Sequence, residues 1–329
     1  MEFRARHVAL IAIAAGTWAS DVYFRGGLVG HLTAVQIVFA ENLLLALVSL
    51  LWLMPRIVYL RGLKPDAWVA AVIIGVGPQA AATLMFTASL SYGAFAETYL
   101  LQQLQPVVAI LLASVVLHER RASRFWIGAS VAVLGAYLLV FGADARGPFA
   151  ARHSPNLIAG GLAIGAAVLW AAGTVMGRRL LAQSDYLTTA ALRFALAAPV
   201  LGLALVVTRG SHALAGYHAA DVPMLVGLAA VPGMLGIALY YRGLRGTPAS
   251  VSTLAELAFP AAATIISVLP VPFGFAQPLA ALQVLGAIAL AGAVVYLARR
   301  VPDVVTVPQG IDIGHRSEAA LRDMPQMTS

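Results

Sequence analysis

Few residues of this chain carry charge or hydrogen-bonding capacity inside otherwise apolar segments, and their spacing makes them informative. Glu97, Thr98, Gln102, Gln103 and Gln105 lead up to Pro106, and Ser252, Thr253 and Glu256 lead up to Pro260. At about 100° per residue, Thr98, Gln102 and Gln105 share one face of a helix, and Glu97 flanks that face. Each proline removes a backbone donor and strips the carbonyl four residues earlier of its helical partner. At bilayer depth that carbonyl must be satisfied by a neighbour, a water or a ligand. Carboxylates so placed bind a substrate ammonium or exchange protons. The plainer alternative is interhelical hydrogen bonding, for which glutamine is an ordinary glue.

A charged side chain at mid-bilayer costs roughly 2.5 to 3.5 kcal/mol on insertion scales, so it faces a cavity or a partner. Glu41 and Asn42 lie within the apolar stretch 33–53, and Arg193 lies within 187–208. Arg193 pairs with Glu41 or Glu256, binds a substrate carboxylate, or snorkels to the cytoplasm. Asp21, four residues before Arg25, reads as one half of an ion pair along a helix surface. Trp18 and Trp170 stand away from the helix ends and either stack on an aromatic or cationic ligand or pack as core. His118-Glu119 precedes Arg120 and Arg121 in a loop and reads as a solvated ion-pair cluster.

The elements that must position these residues follow from composition. Of 329 residues, 60% are hydrophobic and 11% charged, whereas soluble domains carry about 25% charge. The apolar residues arrive in blocks of about twenty, the length that crosses a hydrocarbon core about 30 Å thick. The spacing predicts ten transmembrane helices, at 8–24, 33–53, 66–86, 93–117, 124–141, 156–177, 187–208, 221–240, 247–270 and 278–298. The start, with Arg4, Arg6 and His7 before an apolar run, also fits a signal peptide. Kept as a helix, it places fourteen loop Lys and Arg in the cytoplasm against four outside, which the positive-inside rule reads as N-in and C-in. The net charge of +7 therefore reports orientation, and nucleic acid is not an expected partner. Cysteine is absent, which excludes disulfides and thiolate chemistry. No HExxH, Gly-rich phosphate loop with Lys, or His and acid at metal-ligand spacing within a helix is present. Neither an enzyme, a cofactor nor a metal is expected.

Setting Pro106 on Pro260 also sets Leu90 on Leu244, Thr98 on Ser252, Leu100 on Leu254 and Gln102 on Glu256. Two five-helix units are implied, 1–145 and 156–300, followed by a flexible cytoplasmic tail over 301–329. An odd number of helices per unit inverts the second copy, and inverted repeats are a device of transporters working by alternating access.

The run from Tyr92 to Gly128, with Leu104-Gln-Pro106, Leu117-His-Glu-Arg120 and Trp126-Ile-Gly128, resembles the EamA-type domain of the drug/metabolite transporter superfamily. A degenerate copy lies at 243–286, where Gln277 stands in place of Glu119 and about four extra residues intervene near 270–274. Among bacterial members the chain is most similar to the YddG-type exporters of aromatic amino acids. The resemblance implies an all-α inner-membrane exporter of amino acids or related metabolites, with lipid and a small solute as partners and a homodimer allowed. Drug or nucleotide-sugar carriers are the alternative, but a phosphate-bearing cargo wants several convergent cations, and depth supplies only Arg193. A lipid enzyme or a passive channel is the remaining class.

Overall fold

The computed structural model describes residues 2–92, 98, 101–102, 104–141, 157–270, 280–300 and 304–305, and these are almost entirely helical. Helices α1 (Glu2–Ala19) and α2 (Asp21–Leu28) form the first rod, and α3 (Ala34–Leu53) continues through a tight turn into α4 (Ile57–Arg61). Helices α5 (Pro65–Ile74) and α6 (Thr83–Ser91) make one rod, followed by α7 (Gln105–Val116), α8 (Ser123–Phe141), α9 (Leu157–Leu180) and α10 (Tyr186–Arg209). Helices α11 (Val222–Leu228) and α12 (Gly236–Arg245) form another rod, then α13 (Ala249–Ala255), α14 (Ala258–Val268) and α15 (Ala281–Arg300) complete the set. The only β pairing among the described residues joins β1 (Glu119–Arg120) antiparallel to β2 (Val304–Val305), with Glu119 opposite Val305. Within 301–329, residues 304 and 305 are therefore paired, and the rest lies outside the described residues.

Among the described residues, seven helical stretches, from Ala5–Leu28 to Ala249–Ile266, are long and apolar enough to cross a membrane. Gln105–Val116, Ser123–Leu139 and Ala281–Leu297 are apolar but shorter. The outer surface suits lipid, since Leu51, Val58 and Val207 are 72%, 74% and 74% exposed, and apolar faces of this extent are rare on soluble monomers. The interior is rich in alanine, including Ala67, Ala70, Ala71, Ala166, Ala167 and Ala171, all essentially inaccessible. Small side chains let bilayer helices approach backbone to backbone.

Proline sets the local irregularities. Pro78 and Pro232 each sit inside a rod, and each is absorbed by wide π turns, over Gly75–Ala82 and Ala229–Leu235. A proline denies its turn one donor and pushes against the preceding carbonyl, which the wider turn accommodates. Pro78 and Pro232 are related by the offset that sets Pro106 on Pro260. The fourth and ninth segments, read from sequence as continuous, depart from that expectation. Pro106 lies in the first turn of α7, and Glu256–Leu257 interrupt the ninth segment between α13 and α14. The Glu256 carbonyl, deprived of its partner by Pro260, accepts instead from Phe259 N–H at 2.9 Å.

The packing respects the repeat. α1 lies on α12 and α9 on α5 and α6; α3 lies on α10 and α8 on α15; α7 touches α9, and α14 touches α1. Exchanging the first copy for the second maps these contacts onto themselves. The α8–α15 crossing depends on glycine, because a Cβ at Gly135 would sit 2.7 Å from Leu290 N, and one at Gly286 would sit 2.6 Å from Leu139 N. Gly135→Leu should lower thermal stability in detergent by about 1 to 3 kcal/mol, the usual cost of overpacking. Gly292→Leu, where nothing lies within 4 Å, should leave the melting temperature close to wild type.

Candidate functional site

Both halves of the sequence line a cavity of about 350 Å³, within the range of small-molecule sites. Trp18, Glu41, Gln102, Gln105, Pro106, Trp170, Arg193, Glu256 and Pro260 all face it. Asn42 and Ser252 do not line it: Asn42 donates to the Phe194 carbonyl at 3.1 Å, and Ser252 is fully buried behind Glu256. Glu97 lies outside the described residues. Thr98, on the expected polar face, is turned to Ser89, with the hydroxyls 2.5 Å apart, and Ser89 donates to the Ala159 carbonyl.

One part of the wall is ionic. Arg25, from α2, is 5% exposed and grips Asp21 with two nitrogens at 2.7 and 2.8 Å. It also reaches Glu41 on α3 at 2.9 Å and Thr87 on α6 at 3.2 Å. The helix-surface pair expected between Asp21 and Arg25 is present, but as part of a buried triad. Glu41 finds its cation in Arg25, correcting the pairing with Arg193 offered from sequence. Arg193, on α10, donates to Gln79 Oε1 at 2.6 Å and to the Tyr241 hydroxyl at 3.3 Å. That leaves it neither snorkelling nor bonded to a carboxylate among the described residues.

Glu256 occupies the break in the ninth segment. Its Oε2 accepts from Gln105 Nε2 at 2.7 Å, and Oε1 lies 3.5 Å from the hydroxyls of Thr174 and Ser252. No described cation bonds to it. The two discontinuous helices thus meet through Gln105 and Glu256, the neighbourhoods of Pro106 and Pro260 that sequence singled out. Gln102 Oε1 has no hydrogen-bond partner among the described residues, so an acceptor is left over in the wall.

The aromatic lining is paired. Trp18 stands 5.4 Å from Tyr240, centroid to centroid, and Trp170 stands 5.2 Å from Phe86. Phe86 and Tyr240 are themselves related by the Pro106–Pro260 offset, and each pair joins the tryptophan of one half to a ring of the other. Trp170 Nε1 also donates to the Pro78 carbonyl at 3.1 Å, inside the π turn. Tyr240 and Thr174 share a hydroxyl contact at 2.8 Å. Sequence reasoning missed Arg25, Gln79, Phe86, Thr174 and Tyr240. The offset that pairs Phe86 with Tyr240 and Pro78 with Pro232 was the available signal.

The EamA-like transporter family matches this chain twice, over residues 6–141 and 157–298. The chain belongs to that family. Riboflavin transporter ImpX of Fusobacterium nucleatum subsp. nucleatum is 31% identical over 172 residues, 52% of this chain and 56% of that protein. The chain therefore spans about half the length of this relative. A solved crystal structure aligns with a TM-score of 0.68 over 89% of this chain and 96% of its own, at 18% identity, which shows a shared fold. The chain is thus a multi-pass membrane protein of the EamA-like transporter family.

The first EamA copy carries Glu119 just after α7. His118, at φ 53°, turns the chain back at the helix end, as left-handed residues do at C-termini. Glu119 then accepts from the N–H groups of Ala249 and Ser250 at 2.8 and 3.2 Å and from the Ser250 hydroxyl. Arg121 binds Glu119 at 2.7 Å and Ser250 Oγ at 2.6 Å. The solvated cluster expected from sequence is instead a buried clasp, in which a loop of one copy caps α13 of the other. Burial alone would push the Glu119 carboxyl upward, but the Ser250 and Arg121 contacts outweigh it and hold it below the ordinary carboxylate range. The corresponding Gln277 lies outside the described residues.

Two predictions follow from the charges. Arg25→Gln strands Asp21 and Glu41 and should cost about 3 to 5 kcal/mol of stability, measured by thermal or denaturant unfolding in detergent. Adding Glu41→Gln to it should restore part of that loss. For Glu119, a depressed carboxyl contributes stability that is complete above its unfolded value, near 4.3, and lost as pH falls through the lower folded value. Melting temperature should therefore drop more steeply below about pH 4.3 in the wild type than in Glu119→Gln.

Proposed function

We propose that this EamA-family chain is a secondary transporter that moves a planar aromatic solute with polar edges, of the flavin class, across the cytoplasmic membrane by alternating access. The observation that carries this reading is the cavity whose two aromatic pairs, Trp18 with Tyr240 and Trp170 with Phe86, each join a ring of one copy to a ring of the other. Flat rings stack on such faces, and the ImpX relative is named for riboflavin, a flat heteroaromatic cargo. Gln102, Gln105 and Gln79 offer amide donors and acceptors to the edge of a ring system.

In this reading, ten segments span the bilayer, the seven long ones and the three shorter ones. Five per copy, over 1–145 and 156–300, make the copies inverted, with both termini cytoplasmic as the charge bias suggests. The broken fourth and ninth segments, carrying Gln102, Gln105 and Glu256, are the elements that rearrange around the cargo. Glu256 senses cargo or protons, and Trp18 and Trp170 hold the ring. Glu41 and Arg193 set the charge of the wall, Asn42 holds the Phe194 carbonyl behind it, and Ser252 backs Glu256.

A second reading, export of amino acids, is favoured by one observation. Arg25, Arg193 and the carboxylate of Glu256 share the wall, so a zwitterion meets both signs of charge.

Counterflow in liposomes containing the purified protein separates the two. Riboflavin-loaded vesicles should take up labelled riboflavin saturably, with tryptophan and phenylalanine competing weakly. The reverse ranking selects the second reading, and no saturable exchange of either cargo overturns both. Trp18→Ala and Trp170→Ala should each weaken cargo affinity by roughly tenfold, since stacking on an aromatic ring is worth about 1 to 3 kcal/mol. Glu256→Gln should change the rate and flatten its pH dependence; wild-type behaviour in both would remove Glu256 from coupling.

A further inference from the structure

Outside the cavity, three potential metal-ligating side chains from distant parts of the chain converge at one corner. His31 lies in the turn between α2 and α3, and His218 and Asp221 lie just before α11. His31 Nε2 is 3.0 Å from Asp221 Oδ1, and His218 Nδ1 is 3.8 Å from Asp221 Oδ2. One ligand atom from each residue lies within 4.8 Å of the other two. Around a single ion with bonds near 2.0 to 2.2 Å, tetrahedral ligand atoms stand about 3.4 Å apart. The imidazoles, 35% and 68% exposed, have the freedom to close that difference.

The backbone around them is already held. Gln36 Nε2 donates to the Ala215 carbonyl at 2.7 Å and Ala213 at 3.3 Å, and the Tyr217 hydroxyl donates back to the Gln36 carbonyl at 2.7 Å. Gly216, at φ +91°, turns the segment against Leu32 and the His31 carbonyl. Asp221 is buried and fixed by the His218 N–H at 2.8 Å. A held backbone and a fixed carboxylate are part of the support that metal sites require.

The other copy shows what the corner needs for folding alone. There Asp66, at the start of α5, accepts from Gln183 Nε2 at 3.1 and 3.2 Å, with Arg179 at 3.7 Å. An amide and a guanidinium suffice, and neither binds a metal. Two imidazoles directed at one carboxylate exceed that requirement. We propose that His31, His218 and Asp221 bind a divalent transition metal of the zinc class. Imidazole and carboxylate are donors suited to such ions, and three protein ligands leave a position open to water. The bound ion ties the α2–α3 turn of the first copy to the entry of α11 in the second, whatever the cargo of the central cavity.

Metal-stripped, tag-free full-length protein in detergent should be titrated with Co²⁺, following visible absorption and then displacement by Zn²⁺. One Co²⁺ per chain is expected, displaced by Zn²⁺. Affinity should fall by roughly tenfold or more in His31→Gln/His218→Gln, a pair that keeps side-chain amides at the corner. Asp66→Asn should bind as wild type does. Metal-free melting curves of the double variant serve as the folding control. If that variant proves unfolded, the single His218→Gln, whose side chain is the more exposed, decides the matter. Equal binding by the folded histidine variants and wild type overturns the site, as does no saturable binding by wild type.

Discussion

In hydrocarbon no backbone or charged group can turn to water, so every one must be satisfied inside the protein. That constraint explains where this chain is regular and where it is not. Its rods are uninterrupted where alanine and glycine let them touch, as at Gly135 and Gly286. They are irregular at Pro78, Pro232 and Pro260, near the cavity, while Pro199 is carried inside α10 without a break. Pro78 is carried in a π turn, and its own carbonyl accepts from Trp170 Nε1. Pro260 frees the Glu256 carbonyl, which a tighter turn satisfies. At Pro260 the repair comes from Phe259, which also lines the cavity, so breaking that helix and making the site are one structural event.

The same constraint disciplines the charges. Arg25 is bonded to two carboxylates and a hydroxyl, and Arg193 to an amide and a phenol. Neither stands as a bare cation. A buried pair of this kind contributes little net stability, because desolvation offsets attraction, yet removing one member is costly. The triad therefore fixes the position of α2 against α3 and α6 more than it strengthens the fold. Glu256 is held differently, by neutral donors, which leaves its charge uncompensated by any described cation. An arrangement with one carboxylate locked to arginine and another held by amide and hydroxyl groups makes the two chemically distinct within one wall.

Much of this was legible in the sequence, because membrane solvent writes itself into apolar length, and the repeat into paired prolines. The polar stretches before Pro106 and Pro260 pointed directly to the cavity. What escaped was rotation and reach. Arg25 stands four residues from Asp21 near a helix end, and nothing in that spacing distinguishes a surface pair from one turned inward to Glu41. Glu119 beside Arg121 looked like a wet loop, because its partner, the start of α13, lies far along the chain. Asn42 and Ser252 have the residue types of a site but spend their polarity on a carbonyl and on a neighbouring carboxylate. Helical periodicity places residues on faces, but it does not say which face meets the cavity when the apolar segments have similar outsides.

Symmetry then separates scaffold from specificity. Positions related by the offset and alike in kind, such as Pro78 with Pro232 and Phe86 with Tyr240, build the same scaffold twice, with the same defects on both sides. Positions where the offset pairs unlike residues break the equivalence: Gln102 against Glu256, Phe39 against Arg193, Glu41 against Ala195. Every charge added by these mismatches lines the cavity. Two copies that were alike in charge as well as shape would present a cargo with the same wall from either half. The unlike pairs give the cavity Glu41 and Arg193 on one part of its wall and a separate acid at Glu256. The charge of the wall is therefore asymmetric, although the scaffold that carries it repeats.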